Sequence, residues 1–369
     1  MKPFFSVVIP YHNSADTIGR LLASLQKSKR APTFEVVIVD DGSEEKYQVS
    51  SLPAGKAGIK YQSRKRKRIP FHIVTLAKNL GPAVARNRGV AASRGKFIVF
   101  LDSDVQVFTD TLANLATIYK DDPDIVAVTG VWTKEQRTKK FFPNFKALRD
   151  WSYWINERDK SGYYFLFSTR IASIKKSVFI RLGGFDETYP APLVEDIELT
   201  YRIARRYAII FAPNVRVRHE FEGFWPIAKK YFLRAYYWTK LYQQRKKFDP
   251  VATTWQEAAT TVSGVAVVFF GLVSLFILPT LPVMSNVKCP FDLSQGGQMS
   301  NLITILSCYY PLFIFYFSLF TLFVHLYLVR KFLVFLYQEK GVVFTAKGFF
   351  MGLVLYCFIF AGAVLGKIK

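Results

Sequence analysis

Phe97-Ile98-Val99-Phe100-Leu101-Asp102-Ser103-Asp104 is an unbroken apolar run that ends in two acids two positions apart. A short, continuous apolar stretch of this kind reads as a strand covered on both faces, so it belongs near the middle of a sheet. Acids clustered at the tip of a central strand need compensation. A hard divalent cation would supply it, bound through one carboxylate and a water, with phosphate oxygens filling the remaining positions.

Outward from this strand the same grammar repeats. Ser6–Pro10, Glu35–Val39, His72–Leu76 and Ile125–Thr129 are further candidate strands, and Lys96–Leu101 bounds the central one. Between them lie helical patterns. Ile18, Leu21, Leu22 and Leu25 recur at helical spacing behind Ser14, a candidate N-cap, and Ala83–Ala92 and Leu112–Tyr119 look helical too. Strands alternating with helices predict an α/β fold with a mostly parallel sheet. Ser50–Pro70 breaks the rhythm; it contains Arg64-Lys65-Arg66-Lys67-Arg68 and reads as an inserted basic loop. Residues 131–225 are mixed in pattern and rich in aromatics.

Three more motifs carry chemistry. Asp40-Asp41-Gly42-Ser43 follows the strand Val36-Val37-Ile38-Val39, at the carboxyl end where α/β sheets bind ligands, and suits a ribose or a base. Asn79-Leu80-Gly81 leads into a helix bearing Arg86, and a cation near a helix start suits a diphosphate. Gly183-Gly184-Phe185-Asp186-Glu187 precedes Val194-Glu195-Asp196-Ile197-Glu198, which opens a helix with Ile197, Tyr201 and Ala204 on one face. Acids in a first helical turn suit the helix dipole, and one of them could also serve as general base on an acceptor hydroxyl.

In this order and spacing the four elements resemble glycosyltransferase family 2, whose members are inverting enzymes of GT-A fold; the resemblance covers roughly residues 4–222. It implies a Rossmann-like nucleotide-sugar domain with Pro10, Tyr11, Asp40 and Asp41 about the nucleotide. Asn79, Gly81, Arg86, Asp102 and Ser103 would line the rest of the donor. It further implies Asp102 and Asp104 as a metal site for Mn²⁺ or Mg²⁺, with His219 as a third ligand. Asp196 of the Glu195-Asp196 pair would be the catalytic base, with Arg202 close by. Inversion is a single displacement, so no protein nucleophile is required.

The C-terminal half is different in kind. Ala258–Val287 and Gly348–Gly366 carry no charge, and Leu293–Val329 carries none apart from His325 if that is protonated. A span needs about 20 apolar residues, so three spans are expected, at about 259–283, 303–328 and 347–366. Between Pro226 and Phe248 stand Lys229, Lys230, Arg234, Lys240, Arg245, Lys246 and Lys247 with no acid. Ala228, Tyr231, Ala235, Trp238 and Tyr242 recur there at helical steps, the pattern of a helix lying in a lipid headgroup plane. The expected division is therefore a transferase domain at 1–225, an interfacial segment at 226–257 and a membrane region at 258–369.

Net charge is +23, concentrated beside the apolar half, so an anionic lipid surface is the expected partner rather than nucleic acid, for which no module is recognisable. No signal peptide opens the chain, and the basic flank before the first span together with the basic Arg330–Lys347 loop predicts a cytoplasmic domain on an integral membrane protein. The expected reaction is transfer of one sugar from a UDP- or GDP-linked donor to a lipid-linked acceptor: a polyprenyl phosphate, a lipid-linked saccharide or a glycolipid. A processive polysaccharide synthase is the first alternative. Processive relatives carry Gln-x-x-Arg-Trp in about this place, and here Tyr231 and Ala235 depart from it. A nucleotide-sugar-binding membrane subunit without catalysis is the second.

Overall fold

The computed structural model describes residues 2–44, 69–157, 165–189, 193–246, 254–277 and 302–368. The basic run at 64–68 and the residues between the first two expected spans lie outside them. The chain divides into two compact units, one reaching to Lys230 and one beginning at Tyr231.

The first unit is built on an eight-stranded sheet of order β3-β2-β1-β4-β7-β6-β8-β5. Its strands are β1 (Phe5–Tyr11), β2 (Phe34–Asp41), β3 (Phe71–Leu76), β4 (Phe97–Phe100), β5 (Val105–Val107), β6 (Ala127–Trp132), β7 (Ala172–Lys175) and β8 (Ile209–His219). The helices are α1 (Ala15–Gln26), α2 (Pro82–Ala92), α3 (Thr111–Asp121), α4 (Phe141–Ser152), α5 (Lys176–Arg181) and α6 (Glu195–Ala204). Alternate residues face opposite sides, as the pleat requires. Phe5, Val7 and Ile9 join Val36, Phe97 and Val99 in one core, with Leu21 and Leu22 of α1. Val8, Val37, Ile98 and Phe100 face the other, with Ala83 and Ala85 of α2.

Strands β1 to β4 pair in parallel. Beyond β4 the sheet turns mixed: β7 runs antiparallel to β4 and to β6, and β5 antiparallel to β8. β6 and β8 pair in parallel, so four of the seven pairings are parallel and the expectation of a mostly parallel sheet holds, with β7 and β5 reversed. β5 and β7 are only three and four residues long, too short to print a periodicity. Ser14 occupies the N-cap position of α1 without capping it; its hydroxyl donates to the His12 carbonyl at 2.7 Å instead.

Helix α7 (Phe224–Arg245) carries the chain from the first unit into the second, which continues with α8 (Trp255–Ile277) and α9 (Leu302–Ile368). The expected loop at 330–347 contains a break in the helix. Helix enters it from both sides and breaks at Gly341, whose φ of 78° glycine adopts without strain; His325 then lies 5.4 Å from Tyr356 between ring centroids, so the chain folds back there. Arg330, Lys331, Glu339 and Lys340 are good helix formers, so the helix runs past its apolar stretch. Windows at Trp255–Phe276 and Leu312–Ile368 are long and apolar enough to cross a membrane, and Phe276 and Phe323 on them are 80% and 70% exposed. Within this unit the Ser263 hydroxyl lies 2.9 Å from His325 Nδ1. A Cβ at Gly362 would lie 2.1 Å from the Phe232 carbonyl oxygen, so small residues let these helices approach closely.

Candidate active site

The acids at the carboxyl ends of β2 and β4 gather where the strand order reverses, about β1. Two turns meet there. The Asp40 carboxylate accepts the Ser43 amide at 3.1 Å, and Asp41 accepts the Leu80 and Gly81 amides at 2.8 and 2.9 Å. Asp41 therefore ties the β2 turn to the Asn79-Leu80-Gly81 turn before it does anything else. Gly42 makes the closeness possible: at φ 63° its missing Cβ would sit 2.2 Å from the Lys78 carbonyl carbon. Asn13, in left-handed conformation, adds a second tie by donating its amide to Ser43 Oγ at 3.0 Å and accepting the Glu44 amide at 3.0 Å. Pro10 and Tyr11 close β1 beside them. Burial and the nearby Asp40 charge push the Tyr11 phenol up to about 12, so it stays protonated.

Arg86 is corrected. It is not a free cation facing a diphosphate but a buried tie, 2% exposed, donating to Glu195 Oε1 at 2.9 Å and Asp102 Oδ1 at 2.8 Å. Burial works against its charge, and the two carboxylates outweigh that and raise its pKa. Glu195 is consumed as well, since its second oxygen accepts the Leu193 amide at 2.8 Å. Glu195 thus ties the start of α6 to α2. Arg202 is likewise engaged: it pairs with Glu198 and donates to the Leu182 and Gly184 carbonyls, clamping the Gly183-Gly184 turn. Asp196, next to Glu195 in the first turn of α6, is part-exposed and accepts the Ile197 amide at 2.9 Å.

The other end of the Asp102-Ser103-Asp104 loop meets a partner from far along the chain. Val105 pairs with His219 across β5 and β8, which brings Asp104 Oδ2 to 3.3 Å from His219 Nε2. Gln136 fixes this end of β8, donating to the His219 carbonyl at 2.8 Å and accepting the Phe221 amide at 2.9 Å. Burial pushes the Asp104 carboxyl up, but His219, Arg170 and Lys230 outweigh it and hold it down at about 2. Asp104 Oδ1 and His219 Nδ1 are both buried with no hydrogen-bond partner. Ligands in adjacent positions on one ion, with bonds of about 2.1 Å, stand roughly 3 Å apart, so the pair fits a shared divalent cation. Asp102 is turned to Arg86 instead. Among the described residues no group of three or more His, Cys, Asp or Glu is placed to hold a metal. The residues fit a two-ligand cation site completed by substrate oxygens, in place of the expected three-ligand set.

Reading motifs alone misses Gln136, Asn13, and the pair Trp132 and Phe221, whose rings flank the Arg170 guanidinium at 4.5 and 5.7 Å. None belongs to a recognisable motif; long-range pairing brings them in.

Residues 6–181 match the family described as Glycosyl transferase family 2. A succinoglycan biosynthesis protein, ExoO, of Rhizobium meliloti is 36% identical over 136 residues, 35% of each chain. A pre-mycofactocin glycosyltransferase of Mycobacterium tuberculosis is 27% identical over 221 residues, 58% of this chain and 42% of that one. Both matches span less than half the length of these curated relatives. Among solved structures, the mannosyltransferase PcManGT of Pyrobaculum calidifontis, in complex with GDP-Man and Mn²⁺, aligns over 100% of this chain and 88% of its own. Its TM-score is 0.55 at 16% identity, a likeness of fold. The mixed sheet thus has the GT-A architecture, and residues 6–181 of this chain are a family 2 glycosyltransferase domain.

Proposed function

We propose that the chain transfers a single sugar, with inversion, from a nucleotide diphosphate sugar to an acceptor carried by a membrane lipid, and that the reaction depends on a divalent cation. The observation that carries the reading is the Asp104–His219 pair, with its two unpartnered buried atoms, at the end of a family 2 domain's central strand. A like-folded mannosyltransferase solved with GDP-Man and Mn²⁺ supports the donor class and the cation. The two apolar helical stretches support a lipid-borne acceptor.

In this reading Asp104 and His219 would hold the cation, which when bound would neutralise charge on the diphosphate. Asp41 and Asn13 keep the β1 and β2 turns in place around the nucleoside. Arg86 locks Asp102 to the start of α6, so that Asp196 stands at a fixed helix terminus. Asp196 takes the proton from the acceptor hydroxyl as its oxygen attacks the anomeric carbon. The bond to the diphosphate breaks on the opposite face, and its electron pair leaves with the diphosphate oxygen. The basic flank of the first span supports a cytoplasmic domain.

Offering the full chain a panel of labelled nucleotide sugars together with extracted membrane lipids, with and without Mn²⁺, tests this. One labelled lipid bearing one added sugar, formed only with metal, is expected. A ladder of products would instead favour a processive synthase, and no transfer from any donor would favour a non-catalytic subunit.

A further inference from the structure

The diphosphate that departs in this reaction needs a cation, and Arg86, the expected one, is spent on Asp102 and Glu195. Other basic groups around Asp104 are also engaged. Lys146 pairs with Asp150, and Lys230 pairs with Glu222 at 2.6 Å. Arg170 differs. Among the described residues its guanidinium lies over the Trp132 and Phe221 rings, feels the charges of Asp104 and Asp150, and donates no hydrogen bond.

Its placement is rigid. The turn before β7 is closed by the Ile171 amide donating to the Ser168 carbonyl at 3.1 Å, and the Ile171 carbonyl accepts the Gly130 amide of β6 at 2.9 Å. Trp132 ends β6 and is 1% exposed; Phe221 follows β8 and is 6% exposed. A guanidinium held over aromatic rings leaves its planar N–H fork for oxygen acceptors, and that fork matches two phosphate oxygens at once. Phe221 also packs edge-on to His219 at 4.4 Å, so the fork stands beside the cation pair. Arg170 is among the charges that act on Asp104.

We propose that Arg170, held flat between Trp132 and Phe221, clamps the diphosphate of the donor and stabilises it as the leaving group. The assignment rests on the transferase reading of the site. It adds to that reading the residue that replaces Arg86.

The test is calorimetric titration of the full chain in detergent, in Mn²⁺, with UDP, GDP and their monophosphates. Wild type is expected to prefer a diphosphate. Arg170→Ala should weaken that diphosphate on the order of 10- to 100-fold, the worth of a charge-assisted pair, and leave the monophosphate unchanged. Should the alanine variant lose the monophosphate too, Arg170→Gln decides by the same criterion, because its planar amide keeps the place between the rings. An unchanged ratio of diphosphate to monophosphate affinity in the deciding variant overturns the role of Arg170. Wild type that binds neither diphosphate overturns the transferase reading itself, a separate outcome.

Discussion

Asp104 and His219 stand far apart in the chain, and β5–β8 pairing brings them into contact. At this scale the acidic motifs were legible in the sequence, because acids at the end of an apolar strand are costly unless a cation meets them. The division of labour among them was not. Which carboxylate takes which cation depends on side-chain geometry, so Arg86, Glu195 and Arg202, expected near the reacting atoms, are instead ties between elements. Asp196 is the acid of its pair assigned to chemistry, since its neighbour Glu195 has both oxygens engaged inside the protein. Asp196→Asn should keep donor affinity within about twofold and lower the transfer rate by about 10²–10⁴-fold, as loss of a general base does. Parallel donor titration and single-turnover transfer assays check this; normal turnover would remove Asp196 from the role.

Among elements, strands β1, β2 and β4 announced themselves as apolar runs, while β5, β7 and the mixed half of the sheet depend on long-range pairing that no local pattern records. Arg86 joins α2, the end of β4 and the start of α6. Arg86→Met should cost about 3–5 kcal/mol, because it strands the buried Glu195 carboxylate without its cation. Arg86→Lys should recover only part, lacking the planar fork, and thermal unfolding of both variants checks the order.

A second tie lies at the opposite end of the strands. Fully buried Glu35 on β2 accepts the Ser6 hydroxyl of β1 at 2.6 Å, and the Arg94 amide and Nε at 2.5 and 3.1 Å. Burial pushes its carboxyl up, but Ser6 and Arg94 outweigh that and hold it below the ordinary glutamate value. A depressed folded pKa gives stability that is complete above the unfolded value of about 4.3 and is lost as pH falls through the folded one. Glu35→Gln should therefore lower Tm by roughly 4–8 °C at neutral pH, for a loss of about 2 kcal/mol. Melting curves at lower pH should show the gap to wild type narrowing below about pH 4.

Taken whole, the chain joins a family 2 domain to helices whose apolar faces are open to the surroundings. The contrast in composition made the two halves readable, whereas how far helix extends on either side of the Gly341 break was hidden because charged helix formers resemble a loop when only hydropathy is followed. Washing membranes at high pH and high salt should leave the chain in the pellet, and detergent should release it. Release by salt alone would mean surface attachment. In the proposed reaction a cation at Asp104 and His219 would underlie both donor binding and transfer, and donor affinity with and without chelator reads it out. Wild type should lose about tenfold or more in affinity for its nucleotide donor when EDTA replaces Mn²⁺, while Asp104→Asn should bind weakly in both and not respond. An Asp104→Asn protein that keeps the full metal response would mean that no cation is held there.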